Sequence, residues 1–216
     1  MLNCLQLRLK NRKGFKQRRR KNLKALLDNQ FWERFEFIAG CDEAGRGPLA
    51  GPVVAAAVIL PKNFYHPEID DSKKLKSEKR ERLFKVIMDS ALSFSFGIVE
   101  PEIIDKVNIL NATKRAMYEA ISGLKINPQV ILIDALTIPE LPILQIPIIK
   151  GDSLSISIAA ASILAKVKRD AIMLEYHKKY PQYQFARHKG YPTLLHRRCL
   201  QKYGPCPIHR QSFRLL

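Results

Sequence analysis

The segment from Leu154 to Tyr180 is the feature that most limits how this chain can fold. It has the length of a long helix, and the first part of it is apolar on nearly every side. A helix that lacks a polar face has to be buried, because no side of it is suited to water. The other elements of the chain must therefore cover this helix.

Short apolar segments supply the strands of the predicted fold. The expected strands are Phe35–Cys41, Pro52–Leu60, Ser93–Val99, Gln129–Ile133 and Leu141–Ile149, the last interrupted by proline as is typical of an edge strand. Helical patterns occupy Ser77–Leu92, a short stretch from Pro101, Asn108–Leu124 and Thr193–Tyr203. This order predicts an α/β fold, with a central mixed five-stranded sheet flanked by helices and a C-terminal helical region.

The length of 216 residues suits one globular domain. We see no internal repeat and no linker after residue 36, so residues 37–216 are expected to form one domain. Residues 1–36 have clustered basic residues and broken apolar periodicity. We interpret them as a basic arm that is weakly helical or disordered.

The chain carries a formal net charge of +17. The arm contributes +8 and the remainder +9, so the body is basic without the arm. Such a balance indicates a polyanionic partner, and nucleic acid is the usual one. The alternative for charge alone is a solvated basic surface. The composition of the arm suits either a nucleic-acid-binding segment or an organelle transit peptide.

The four cysteines are irregularly spaced and form no CxxC pair, which argues against a zinc site. There is no secretory signal with a clean apolar core and no apolar run long enough to span a bilayer. We therefore expect reduced cysteines, a cytoplasmic location and no membrane association.

Three acidic sites stand at or beside the ends of predicted strands. Asp42 and Glu43 follow the first strand, Asp134 ends the fourth, and Asp152 lies in a turn before the long helix. Carboxylates that converge at one edge of a sheet repel each other, and Mg²⁺ relieves this repulsion because it prefers oxygen ligands. Two such ions can assist phosphodiester hydrolysis. For any single acid, a capping or turn role is an equal alternative.

The turn directly after the acidic pair contains Gly45, Arg46 and Gly47. Two glycines allow a sugar-phosphate to approach the backbone closely, and an arginine between them can bind a phosphate with two parallel hydrogen bonds. Alone, a Gly-x-Gly turn is as common in hairpins as in binding sites. Its position beside Asp42 and Glu43 favours substrate binding.

Several motifs together resemble those of bacterial ribonuclease HII, the type 2 ribonuclease H. They are Asp42–Val54, Asp71–Leu75, Asp134 after an apolar strand, Lys150–Ser153, Ile158–Val167, His188–Thr193 and Arg210–Phe213. The resemblance covers roughly residues 37–213. One departure is Ala135, where many relatives have glycine, and this change is expected to spare the carboxylate of Asp134.

The resemblance implies a ribonuclease H-like fold and Mg²⁺- or Mn²⁺-dependent cleavage of the RNA strand of RNA/DNA hybrids. It also implies incision 5′ to single ribonucleotides embedded in duplex DNA, for ribonucleotide removal and RNA primer removal. Its metal ligands would be Asp42, Glu43, Asp134 and Asp152. The backbone of Gly45, Arg46 and Gly47 would sense the 2′-hydroxyl, Tyr191 would pack beside the next sugar, and Lys73 and Lys74 would contact phosphates.

Some assignments stay open at this level. Asp170, on the long helix, is expected to form ion pairs on a solvated face, yet it is the replacement if Asp152 is not the fourth acid. His188 and Lys189 are read either as phosphate contacts or as solvated residues. The other histidines receive no role. We expect a monomer, and the rival interpretations are ribonuclease HIII, another two-metal nuclease, or a non-catalytic basic binding protein.

Overall fold

The computed structural model of the protein describes residues 17–70, 72 and 75–216. A single five-stranded sheet organises this part of the chain, in the order β3-β2-β1-β4-β5. The strands are β1 (Ile38–Ala44), β2 (Val53–Ile59), β3 (Ser93–Val99), β4 (Val130–Asp134) and β5 (Leu144–Ile148). The first three form an antiparallel meander, whereas β4 pairs in parallel with both β1 and β5. The predicted mixed five-stranded sheet is confirmed.

Helices cover both faces of this sheet. They are α1 (Gln17–Trp32), α2 (Ser77–Ser90), α3 (Pro101–Ser122), α4 (Ile156–Lys179), α5 (Phe185–His188) and α6 (Leu194–Tyr203), with 3₁₀ turns at Gly151–Ser153 and Pro181–Tyr183. The helix α3 is interrupted at Asn108, where φ is 68°. The side chain of Asn108 accepts from the amides of Leu110 and Asn111, so it caps the second half of α3.

The strand β2 explains the two-layered core, because both of its faces are buried. Ala56 and Val58 pack in the core cluster that contains the first half of α4. Ala55, Ala57 and Ile59 pack in the other cluster, beneath α3. Alternate residues of a strand point to opposite faces. A continuously apolar strand is therefore what a sheet covered on both sides requires.

The start of α4 lies unusually close to β1, and Gly40 makes this approach possible. A Cβ added at Gly40 would lie 2.1 Å from the carbonyl carbon of Ser157. The small side chains Ala159, Ala160 and Ala161 of α4 are fully buried. The buried long helix expected from the sequence is therefore present, and it lies directly against the strand that carries Asp42 and Glu43.

The N-terminal segment differs from the weakly helical or disordered arm that we expected. Residues 17–32 form α1, and Trp32 at its end is 1% exposed in the core beneath α4. Asp28 is fully buried. The second half of α1 is thus part of the packed body, whereas residues 1–16 lie outside the described residues.

The described residues contain no helix that is both long enough and apolar enough to cross a membrane.

Candidate active site

Asp42 and Glu43 lie within β1, which continues to Ala44, and do not follow it as the sequence suggested. They are placed opposite Ala56 and Ala55 of β2 in the antiparallel ladder. Asp42 is 4% exposed, and its Oδ1 accepts a hydrogen bond of 2.7 Å from the backbone amide of Glu43. The backbone pairing with β2 therefore holds both acids on a regular strand.

Burial raises the pKa of Asp42 well above its ordinary value, and the negative charges of Glu43 and Asp134 raise it further. A hydrogen bond from Ser162, on α4, opposes this rise. Burial also raises the pKa of Glu43, and Asp134 adds to the rise while Arg46 lowers it. The three carboxylates are thus close enough for the charge of Asp134 to disfavour ionisation of both Asp42 and Glu43.

Asp134 is the last residue of β4, beside the acidic end of β1. The parallel pairing places Ile133 next to Cys41, so the carboxyl ends of the two strands meet at one edge of the sheet. The Oδ1 of Asp134 accepts from the amide of Gly151 at 2.8 Å. Ala135 has φ of 54°, in the left-handed region that favours glycine. Ala135 therefore adopts the left-handed backbone conformation that glycine favours, and Asp134 remains at the end of β4.

Asp152 lies in the 3₁₀ turn Gly151–Ser153, one residue after the partner of Asp134. It is 6% exposed, and its carbonyl oxygen accepts from Lys24 Nζ at 2.8 Å. A Cβ added at Gly151 would lie 2.5 Å from Ile158 Cδ1 and 3.5 Å from Asp134 Oδ1. The turn is therefore packed between Asp134 and the first part of α4.

Among the described residues, no group of three or more His, Cys, Asp or Glu side chains lies at the spacing needed to hold one metal ion. The set of donors nevertheless suits a hard cation, since it consists of carboxylate oxygens. Glu43 Oε2 is buried and has no hydrogen-bond partner within the described part of the chain. A buried carboxylate oxygen of this kind is an available ligand atom, so these residues fit a divalent cation.

The turn after β1 places two glycines in different surroundings. Gly45 has φ of +102°, and a Cβ there would lie 2.2 Å from Arg169 Nε. Gly47 is exposed, and the nearest atom to its added Cβ is Tyr191 Cε1 at 4.0 Å. Gly45 is thus required by the fold, whereas Gly47 leaves open backbone beside Tyr191. The exposed Arg46 pairs with Glu43 Oε1 at 3.3 Å.

Two buried arginines that sequence reasoning assigned no role hold this turn in place. Arg210 donates to the carbonyls of Gly45, Arg46 and Gly51 at 2.6–3.0 Å. Arg169 donates to the carbonyls of Ala50, Pro52 and Lys189 at 3.0–3.1 Å.

Neither arginine is exposed, and the polar partners of both are carbonyl oxygens. Burial lowers the pKa of Arg210 to about 9, and the charge of Arg169 contributes to this shift. Arg210 stands in one of the motifs that carried the family resemblance, but that motif gave no indication of this role.

Tyr191 is 39% exposed and lies beside the glycine-containing turn. Lys166 Nζ lies 5.4 Å and Arg169 Cζ 5.8 Å from the centre of its ring. The structure thus brings Tyr191 to the turn, as an aromatic face with two cations around it.

Three histidines form a buried cluster beneath Tyr191, which corrects the expectation that His188 contacts phosphate or solvent. His188, His196 and His209 are at most 7% exposed. His188 and His196 stack with ring centres 4.3 Å apart, and the Nε2 atoms of His196 and His209 are 3.0 Å apart. His196 Nδ1 lies 3.0 Å from the carbonyl oxygen of Tyr191. Their scattered sequence positions carry no signal of this cluster.

Asp170 is engaged elsewhere on α4. It pairs with Lys166 at 2.8 Å and with Arg80 at 3.8 Å, and its side chain is 17% exposed. The ion pairs were expected, although the face is less solvated than predicted. Lys73 and Lys74 lie outside the described residues, so their phosphate contacts stay a prediction.

Comparison with known proteins identifies the fold and the motifs. The family model of ribonuclease HII matches residues 39–216. The chain belongs to the ribonuclease HII family. It is therefore a ribonuclease H, a hydrolase that acts on nucleic acid, and metal dependence is a general feature of this family. The recognition made from the sequence motifs is confirmed.

Individual relatives support this membership over most of the chain. Ribonuclease HII of Caldanaerobacter subterraneus subsp. tengcongensis is 58% identical over 199 residues, which cover 89% of this chain and 83% of the relative. Ribonuclease HII of Ruminiclostridium cellulolyticum is 54% identical over 206 residues, covering 95% and 81%. The crystal structure of ribonuclease H2 from Pyrococcus horikoshii OT3 matches with a TM-score of 0.71 at 28% identity, covering 83% and 94%. The predicted ribonuclease H-like fold is confirmed.

Proposed function

We propose that this ribonuclease HII cleaves the RNA strand of RNA/DNA hybrids and incises 5′ to single ribonucleotides embedded in duplex DNA. Cleavage leaves 3′-hydroxyl and 5′-phosphate ends. The observation that carries the proposal is the adjacency of three neighbouring carboxylates, Asp42, Glu43 and Asp134, to an open glycine turn with Tyr191 beside it. The residues that would catalyse cleavage and those that would recognise the ribonucleotide then lie at the same edge of the sheet.

Asp42, Glu43, Asp134 and Asp152 would hold two Mg²⁺ or Mn²⁺ ions. When bound, such ions lower the pKa of a water nucleophile and stabilise the departing oxygen. The protein supplies the geometry: β1 and β4 fix three of the carboxylates, and the 3₁₀ turn supplies the fourth. The buried surroundings strengthen the electrostatic attraction of these residues for cations.

Recognition of the ribonucleotide would come from the turn and from Tyr191. The exposed backbone at Gly47 can approach a sugar without steric hindrance, and a 2′-hydroxyl is what distinguishes RNA from DNA there. Tyr191 would pack against the sugar that follows the ribonucleotide. Arg46, Lys73 and Lys74 would bind phosphates, in keeping with the net charge of +17.

In the cell, we propose a monomeric cytoplasmic enzyme that acts in ribonucleotide removal from DNA and in RNA primer removal. The high identity to named ribonucleases HII supports these roles.

The decisive experiment uses a labelled DNA duplex that contains one ribonucleotide, with an all-DNA duplex of the same sequence as the control. We expect incision 5′ to the ribonucleotide in the presence of Mg²⁺ or Mn²⁺, and none in EDTA. The all-DNA duplex should stay intact. Cleavage in EDTA would overturn the proposed metal-dependent mechanism. No cleavage with any divalent ion would overturn the proposal and favour the non-catalytic alternative.

A further inference from the structure

Lys24 connects α1 to two segments at the edge of the candidate active site. Its Nζ donates to Asp70 Oδ1 at 2.6 Å and to the carbonyl oxygen of Asp152 at 2.8 Å. The side chain of Lys24 is 11% exposed and that of Asp70 is 49% exposed, so the bond to the Asp152 carbonyl is the better shielded of the two. Charge-assisted hydrogen bonds of this kind are stronger than neutral ones. Lys24 lies outside the residues 39–216 that the family model matches.

Asp28, one helical turn further along α1, binds the beginning of α4. Its Oδ2 accepts from the amide of Ser157 at 2.9 Å and from the Ser157 hydroxyl at 2.6 Å. Burial raises the pKa of Asp28 to about 6, so the group is ionised at neutral pH. A carboxylate at a helix N-terminus satisfies free amides and interacts favourably with the helix dipole. Asp28 therefore fixes α4 near its first turn.

Within the described part of the chain, three hydrogen-bonded contacts hold the turn that carries Asp152 and the start of α4 behind it. Asp134 binds the amide of Gly151, Lys24 binds the carbonyl of Asp152, and Asp28 binds α4 four residues after Ser153. Residues 151–153 form a single 3₁₀ turn, so a shift of its backbone displaces the Asp152 carboxylate as well. Two of these three supports come from α1.

We propose that α1 is a positioning element for the metal-binding turn, with Lys24 and Asp28 as its positioning residues. This inference rests on the proposed function, because it takes Asp152 as a metal ligand. Hydrogen-bonded neighbours that orient a metal ligand typically change metal affinity by about 10–100-fold when they are removed. Substitution of Lys24 is therefore expected to weaken divalent-cation binding without changing the affinity for nucleic acid.

The first measurement is Mn²⁺ binding to the full chain by titration calorimetry. Lys24→Met keeps the aliphatic length of the side chain and removes its donors, and it should raise the Kd for Mn²⁺ about tenfold. Lys24→Arg should restore much of the affinity. Arg34→Met, which removes an exposed cation just after α1, is the matched control and should leave the Kd unchanged. Hybrid binding in EDTA should be the same for all four proteins.

Hydrogen–deuterium exchange provides a readout that needs no metal. In Lys24→Met, amides of residues 150–158 should exchange faster than in the parent, whereas those of β2 should not. Asp28→Asn provides a second variant should Lys24→Met fail to fold. It should show the same faster amide exchange in residues 150–158. Asp152→Asn removes the proposed metal ligand itself and serves as the reference. The double variant with Lys24→Met should bind Mn²⁺ as tightly as Asp152→Asn alone.

These outcomes separate the inference from the proposed function. If the parent cleaves with Mn²⁺ but folded Lys24→Met and Asp28→Asn bind Mn²⁺ as tightly as the parent, α1 does not position the turn. The same conclusion follows if Lys24→Met and Asp152→Asn have fully additive effects, because the two residues then act independently. Failure of the parent to cleave with any divalent ion would instead reject the proposed function.

Discussion

The guanidinium of Arg210 donates to the carbonyl oxygen of Gly45 at 2.6 Å, although 165 residues separate them in the chain. The same group also binds the carbonyls of Arg46 and Gly51. The C-terminal segment thus sets the backbone of the turn beside the acidic pair. A turn whose carbonyls are fixed on the inner side keeps its remaining backbone directed outward, where a substrate can reach it.

Arg210→Met should therefore disable ribonucleotide recognition as well as lower stability. Several buried carbonyls would lose their donor, and each such loss costs about 1–3 kcal/mol. At a temperature where the variant is folded, we expect at least about a tenfold loss of incision at a single ribonucleotide, the equivalent of about 1.4 kcal/mol. Arg214→Met, which removes an exposed arginine nearby, should behave as the parent. Normal incision by folded Arg210→Met would show that the hydrogen bonds of Arg210 to the turn are dispensable for ribonucleotide recognition.

Asp134→Asn should remove activity while preserving the fold. Asparagine retains an oxygen that accepts from the Gly151 amide, so the turn is expected to stay in place. Loss of the carboxylate charge should lower cleavage by more than about 100-fold, above the effect of losing a neighbour that only orients a ligand. Cleavage rates and hybrid binding in EDTA provide the measurement, with Asp89→Asn on α2 as the exposed acidic control. Full activity of Asp134→Asn would remove Asp134 from the catalytic set.

Tyr191→Ala should separate two activities of the enzyme. The ring lies beside Gly47 and two cations, where it would contact the sugar after a single ribonucleotide. We expect cleavage at an embedded ribonucleotide to fall about tenfold, the equivalent of about 1.4 kcal/mol of lost transition-state stabilisation. Long RNA/DNA hybrids should still be cut. Tyr118→Ala, on α3 and 41% exposed, is the control, and equal losses on both substrates would refute junction sensing.

His196 should make the stability of the protein sensitive to acid. Burial and the nearby His188 lower its pKa to about 4, whereas its ordinary value is 6.5. Between these values the unfolded chain binds a proton that the folded protein excludes, so stability falls as pH falls from 6.5 towards 4. The shift corresponds to about 2 kcal/mol lost between pH 7 and pH 5. His188 and His209, whose pKa values are also lowered, act in the same direction.

Denaturant unfolding at pH 7 and pH 5 tests this expectation. We expect His196→Asn to be less stable than the parent at neutral pH because it loses the contact with His209. Its further loss of stability at pH 5 should be about 2 kcal/mol smaller than that of the parent. The matched control is His66→Asn, which lies in the loop before α2. An equally steep pH dependence in parent and His196→Asn would show that His196 does not titrate in this range.

Much of the site was predictable because its signals are local in the chain. Apolar β-branched segments identified β2 and β4, and the acids at or near strand ends lie where parallel strands bring their carboxyl ends together. The motif around Asp42 placed the acidic pair next to a turn that needs glycine. The predicted end of β1 was wrong by three residues, so Asp42 and Glu43 lie within the last residues of β1 and not directly after it.

The sequence by itself determined the sheet, the acidic pair and the family. Only the tertiary structure decided how the site is supported: Arg210 against Gly45, Asp28 against Ser157, and His196 against His209. The first two of these contacts join residues more than 100 positions apart. Hydrophobic periodicity records which face of an element is buried, but it carries no information about the distant polar group that each buried side chain meets. Those partners are set by packing alone.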